Sequence, residues 1–142
     1  MEPKEILARL AELGTPPDPA SALRLSVGLD RTIKRFREET LPFIADGGAE
    51  LQFAFAPYGR GKTHLLRTLQ EVARQQGCAT AYVECRSGQA PFASLQETYR
   101  VVADSLKPAH NAAFLSRQSG PEAVLEEAVL SVTPERARER VA

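Results

Sequence analysis

The sequence predicts an α/β fold in which parallel strands are joined by crossover helices and are preceded by N-terminal helices. Three observations lead to this class. Apolar residues alternate with period two in segment 51–56, and segment 78–85 has the composition of a second strand. Between these segments, apolar residues recur at helical spacing over 62–76. A strand–helix–strand order of this kind favours parallel strands with a right-handed crossover.

Composition narrows the class of protein. The chain has 142 residues, of which 43% are hydrophobic and 25% charged, as is typical of one ordered globular domain. Its 18 basic and 18 acidic residues leave no net charge, so we expect DNA to be involved only indirectly, if at all. No apolar run approaches the roughly 18 residues that span a bilayer, and the N-terminus lacks the apolar core of a signal peptide. We therefore expect a cytoplasmic protein without membrane contact.

Residues 1–25 are predicted to form an N-terminal helix and a proline-rich linker. The helix runs from Pro3 to Leu13, with its leucine and isoleucine side chains on one face. Segment 14–21 holds three prolines, which exclude a helix interior or a central strand. A second helix is expected from Asp30 to Leu41, which Pro42 ends or kinks.

Residues 26–107 are predicted to be the βαβ region. Its first strand is Leu51–Ala56, its helix runs from Lys62 to Gln76 with Gly77 at the C-terminal end, and its second strand is 78–85. A third helix follows, because apolar residues recur there at intervals of three and four. Its apolar face consists of Phe92, Leu95, Tyr99, Val102 and Leu106.

Residues 108–142 are predicted to be a helical C-terminal segment. Pro108 breaks the third helix, one turn is expected at 111–115, and Gly120-Pro121 opens another helix. Thr133-Pro134 is typical of a further helix start, with a capping threonine before a proline at the first helical position. That helix has barely begun when the sequence stops, so we expect a truncated segment.

The two cysteines are predicted to be unpaired. Cys78 and Cys85 lie seven residues apart, which corresponds to roughly 23 Å along a strand and exceeds the reach of a disulfide. No histidine lies close enough in sequence to complete a metal site with them. We expect both to be small buried hydrophobic side chains.

One motif in the chain indicates a specific chemical function. Residues 56–63, APYGRGKT, match the relaxed form of the phosphate-binding P-loop, or Walker A motif, with alanine in place of the first glycine. The two glycines let backbone N–H groups turn toward phosphate oxygens, and the following helix directs the positive end of its dipole at the same anion. Lys62 is expected to reach the β- and γ-phosphates, and Thr63 to offer its hydroxyl to Mg²⁺.

The motif therefore predicts a bound nucleotide, ATP, together with Mg²⁺. Its location between a predicted strand and a predicted helix strengthens the match, and the alternative is a glycine-rich turn with a chance lysine. His64 either contacts a phosphate and helps to close the site, or faces solvent at the start of the helix. The expected binding residues of the loop are Tyr58, Gly59, Arg60, Gly61, Lys62, Thr63 and His64.

Hydrolysis of ATP requires a further element that the motif does not supply. P-loop enzymes hold Mg²⁺ with an acidic strand end, the Walker B motif, and often add an arginine. The nearest match, Ala123–Glu127, falls in a helical pattern and is rejected. Only one clear strand follows Lys62, so we expect an incomplete ATPase core that does not hydrolyse ATP by itself.

These segments resemble a known family. SVGLD, FAPYGRGKTHLLRTLQEVARQQG, AYVEC and LQETYRVVADSL are similar to the start of the ATP-binding proteins of bacterial BREX-type phage-defence systems, which belong to the AAA+/STAND class of P-loop NTPases. The resemblance covers Val27 to Leu106. It implies that Val27 and Gly28 pack on adenine, as a Val-Gly-Arg segment does in AAA+ relatives; otherwise Gly28 is a turn residue. The sensor and arginine-finger segments of the family have no counterpart here.

Two hypotheses for the function remain open. The first is an ATP-binding module, the N-terminal part of an AAA+/STAND-like ATPase of a BREX-type defence system. The second is a non-catalytic interaction protein, derived from such an ATPase, that binds a protein partner or a second copy of itself. A small-molecule kinase fits less well, because two helices precede the motif and no arginine-rich lid follows it.

Overall fold

A computed structural model of the chain describes residues 3–13, 19–85, 94–109 and 118–132. The chain divides into two compact units, Met1–Gln76 and Gly77–Ala142. The described residues are mostly helical, with one two-stranded antiparallel sheet. The elements are α1 (Pro3–Leu13), α2 (Pro19–Arg24), α3 (Asp30–Arg35), a π-helical segment (Phe36–Thr40), α4 (Leu41–Ala45), α5 (Lys62–Gln75), β1 (Thr80–Ala81), α6 (Leu95–Ser105), β2 (Leu106–Lys107) and α7 (Pro121–Val132).

The core of the first unit lies between α2 and α5, which pack against each other. Ala22 of α2 and Thr68 and Val72 of α5 have no exposed surface. The linker prediction missed α2, which begins at Pro19. Proline is tolerated there because the N–H groups of the first helical turn have no intrahelical partner.

The helix predicted from Asp30 forms, but Pro42 does not end it. The helical path continues from α3 through the π-helical segment into α4, which ends at Ala45. The N–H of Leu41 bonds to the carbonyl of Phe36, five residues earlier. Pro42 has no N–H to give to the usual i−4 carbonyl, so the hydrogen-bond pattern is altered around it.

The first predicted strand is not found. Segment 51–57 lies within the described residues and has no regular secondary structure. Phe53 and Phe55 nevertheless stack on each other, with ring centroids 5.8 Å apart, so the alternation does place them on the same side. The prediction is wrong because alternation sets which side chains share a face, whereas a strand also needs a neighbouring strand for its hydrogen bonds. None of the described strands pairs with this segment.

The second unit contains the antiparallel pair of β1 and β2. Thr80 pairs with Lys107 and Ala81 with Leu106, so the second predicted strand shrinks from eight residues to two. The expected parallel strands are not found in the described part of the chain. Pro108 explains β2, because proline disfavours the helical conformation of the residue before it. The chain thus becomes extended directly after α6.

The other helices follow the predictions. α1 has the expected bounds, α6 ends before Pro108, and α7 begins directly after Gly120. The predicted turn at 111–115 and the helix start at Thr133-Pro134 lie outside the described residues, as does Phe92.

The cysteines are both free, as predicted. Their expected burial is wrong, since Cys78 is half-buried and Cys85 is exposed. Residues 82–85 form no strand, and therefore no sheet face covers Cys85.

Candidate phosphate-binding site

The loop between the segment around Phe55 and helix α5 is shaped by two glycines. Gly59 has φ +78° and Gly61 φ +80°, both in the left-handed region. A Cβ atom built on either glycine would meet no other atom within 4 Å. The backbone conformation therefore demands glycine here, while the space beside both residues is open.

Lys62 begins α5, and its side chain turns back along the loop. Its Nζ donates hydrogen bonds to the carbonyl of Ala56 at 2.7 Å and to that of Pro57 at 2.9 Å. Both bonds are exposed to solvent. The ammonium group thus lies over the preceding loop.

The first turn of α5 offers backbone donors beside this ammonium group. The first i→i−4 bond runs from the N–H of Leu65 to the carbonyl of Gly61, at 2.9 Å. The N–H groups of Lys62, Thr63 and His64 therefore belong to the turn that has no intrahelical acceptor. No side-chain hydrogen bond caps this helix start within the described residues. Three N–H groups, the helix dipole and one ammonium are arranged as an anion site requires.

His64 has a partner that neither of its expected roles included. Its Nε2 lies 3.0 Å from the Oγ of Ser26, a residue 38 positions earlier in the chain. The same Ser26 Oγ lies 2.9 Å from the Oγ1 of Thr68 and donates to the carbonyl of Ala22 at 2.9 Å. The end of α2 is thereby connected to the first two turns of α5.

The other two predicted site residues lie next to Ser26 in sequence. Val27 and Gly28 follow Ser26 directly in the connection between α2 and α3. The side chain of Val27 is 92% exposed, and Gly28 has φ +76° with open space beside it. The residue that follows Ser26, a partner of His64, therefore presents an apolar side chain to solvent.

Two of the predicted loop residues have exposed side chains. Tyr58 is fully exposed, and Arg60 is also exposed. Their backbone atoms shape the turn, where the N–H of Arg60 lies 3.4 Å from the carbonyl of Pro57.

Sequence reasoning missed Ser26 and Thr68. Hydroxyl side chains are common on helices and loops, and nothing in their spacing marks these two as partners of His64. It also missed a cavity of about 300 Å³ whose lining includes Arg31, Phe36 and Gln52. None of the predicted site residues lines that cavity.

The rejected acidic segment is helical. Ala123–Glu127 lies within α7, and the carboxylate of Glu127 accepts a hydrogen bond from the N–H of Ala109 at 2.9 Å. Across the described ranges, no three histidine, cysteine, aspartate or glutamate side chains come together as a metal site would require.

Comparison with a known protein family bears on most of the chain. A model of the family described as BREX system ATP-binding protein BrxC/D matches residues 3–136. The chain belongs to this family. The resemblance seen in Val27–Leu106 is confirmed and extends beyond both of its ends. Membership supports a role related to ATP binding in a BREX system, and hence in phage defence.

Comparisons with curated proteins and with solved structures found no further relative of the chain. Among the helices that the structure describes, none has the length and apolar character needed to cross a membrane.

Proposed function

We propose that this member of the BREX family binds Mg-ATP through a Walker A P-loop at residues 56–63, as part of an AAA+/STAND-class ATPase. The position of the Lys62 ammonium group carries the proposal. It is held over the loop by two backbone carbonyls, beside a helix start with left-handed glycines on its N-terminal side. Family membership supports the choice of ATP among anionic ligands.

Three kinds of group in and beside the loop take part in binding the nucleotide phosphates and their Mg²⁺. Backbone N–H groups of the first turn of α5 bind phosphate oxygens, and Lys62 exchanges its two carbonyl partners for the β- and γ-phosphates. Because those carbonyl bonds are exposed, water replaces them at little cost. Thr63, which is half-buried at the second position of α5, supplies one oxygen ligand to the Mg²⁺ that accompanies the nucleotide.

The base end of the nucleotide packs on Val27 and Gly28. The exposure of Val27 supports this assignment, since an adenine ring would remove apolar surface from water. Gly28 has no side chain that would obstruct an aromatic ring at this position. Hydrolysis is not part of the proposal for this chain alone, because neither of the strands that the structure describes ends in an acidic residue.

A second function rests on a different observation. Leu51, Phe53 and Phe55 are exposed by 78%, 71% and 89%, and large apolar side chains clustered on a surface favour protein association. The alternative is therefore a non-catalytic interaction protein, for which we take a second copy of the chain as the partner.

Titration calorimetry of the purified chain with Mg-ATP tests the first proposal. Saturable binding of one nucleotide per chain supports it. The proposal is contradicted if the protein is folded by circular dichroism but releases no more heat than dilution does. The interaction protein would then be the better hypothesis.

A further inference from the structure

The hydroxyl of Ser26 has three partners, and together they fix its proton and those of its neighbours. The carbonyl of Ala22 can only accept, so the single Ser26 proton is donated to it. Ser26 Oγ must then accept from both of its other partners, using its two lone pairs. It follows that Nε2 of His64 carries a proton and that the Thr68 hydroxyl points its proton at Ser26.

We call these three residues the Ser26–His64–Thr68 cluster. Their location connects two segments of the candidate site. Thr68 is completely buried between α2 and α5, so the cluster has a fixed base. His64 is the third residue of α5, two positions after Lys62. Ser26 immediately precedes Val27 and Gly28. The cluster therefore ties the connection that holds the proposed base contact to the turn that holds the proposed phosphate contact.

We propose that the side chain of His64 positions the base end of the nucleotide and is not a phosphate ligand. This inference rests on the proposed function. By donating from Nε2 to Ser26, His64 fixes the connection at residues 26–28 relative to the phosphate loop, and so sets the distance between the two ends of the bound nucleotide. Loss of the hydrogen bond leaves phosphate binding intact and frees the connection that carries Val27.

The test compares two ligands on the same protein preparations. ATP and inorganic triphosphate are each used, with Mg²⁺, to displace a fluorescent ATP analogue from the wild-type chain and from three variants: His64→Ala, His64→Gln and Ser26→Ala. Glutamine keeps an N–H donor at about the reach of Nε2, so His64→Gln is the conservative replacement. Ser105→Ala removes an exposed hydroxyl that bonds only within α6 and serves as the control.

The cluster makes a selective prediction. His64→Ala and Ser26→Ala weaken ATP binding by about five- to tenfold, as expected for one net hydrogen bond, while triphosphate binding is unchanged. His64→Gln and Ser105→Ala bind both ligands as the wild type does. Since both affinities come from one preparation, partial unfolding of a variant does not alter their ratio.

Several results would overturn the inference. Equal weakening of both ligands in His64→Ala would make His64 part of the phosphate site, and no weakening of either would make the cluster a packing feature only. Wild-type protein that binds ATP no better than triphosphate would remove the base contact while leaving the phosphate loop in place. Failure of the wild type to bind either ligand would instead contradict the proposed function itself.

Discussion

At the scale of single residues, the candidate site depends on backbone conformations that few residue types adopt. Gly59 and Gly61 both have positive φ, which costs an L-amino acid roughly 1–2 kcal/mol. Open space surrounds both positions, so a methyl group there would act through strain and through the room it takes from a ligand.

Gly61→Ala is the substitution that separates these effects. We expect it to lower the free energy of unfolding by about 1–2 kcal/mol and to weaken ATP binding as well, because the N–H groups beside it move. Gly47→Ala is the matched control, since Gly47 has φ +88° and equally open space in a turn after α4. Urea unfolding and ATP titration of both variants check the prediction. Similar losses of ATP affinity in the two variants would contradict it.

At the scale of elements, helix α5 has two roles. Its first turn offers donors to the candidate site, and its later turns pack on α2 through side chains that include the fully buried Val72. The position of the loop is thereby set by packing one to three turns further along the same helix.

The packing role predicts unequal effects along α5. Val72→Ala removes two buried methyl groups, so it should lower the free energy of unfolding by about 2 kcal/mol. Leu66→Ala removes more carbon from the same helix, but Leu66 is 48% exposed, and we expect a loss below about 1 kcal/mol. Urea denaturation followed by circular dichroism measures both. A larger loss in Leu66→Ala than in Val72→Ala would show that the packing of α5 is misassigned.

The sequence was sufficient for elements that are encoded locally. Helical periodicity and glycine positions predicted α1, α5, α6 and α7, and the P-loop spacing placed Lys62 at the start of α5. Sheet structure was not predictable in this way, because the segment 51–56 shows alternation without containing any information on a partner strand. The link from Ser26 to His64 also depends on tertiary packing of α2, which no local pattern records.

At the scale of the whole molecule, the main feature is the exposed apolar surface of segment 51–55, which has no role in the proposed phosphate site. Two of its side chains form a stacked pair in solvent. Surfaces of this kind favour association between copies of a protein.

Light scattering of the purified chain tests this consequence. We expect the wild type to exceed the mass of a monomer and the double variant Phe53→Ser, Phe55→Ser to approach it. Leu7→Ser, which changes a side chain 54% exposed on α1, should associate as the wild type does. A monomeric wild type would argue against the interaction protein as an alternative function.

The central claim is that Lys62 and its loop bind the phosphates of ATP. Calorimetry of two lysine variants tests this claim most directly. Lys62→Ala should weaken Mg-ATP binding by at least about 100-fold with an unchanged circular dichroism spectrum, since its two hydrogen bonds are exposed. Lys34→Ala removes the same charge from a side chain 72% exposed on α3 and should bind ATP as the wild type does. Equal ATP affinity in the wild type and Lys62→Ala would contradict the account.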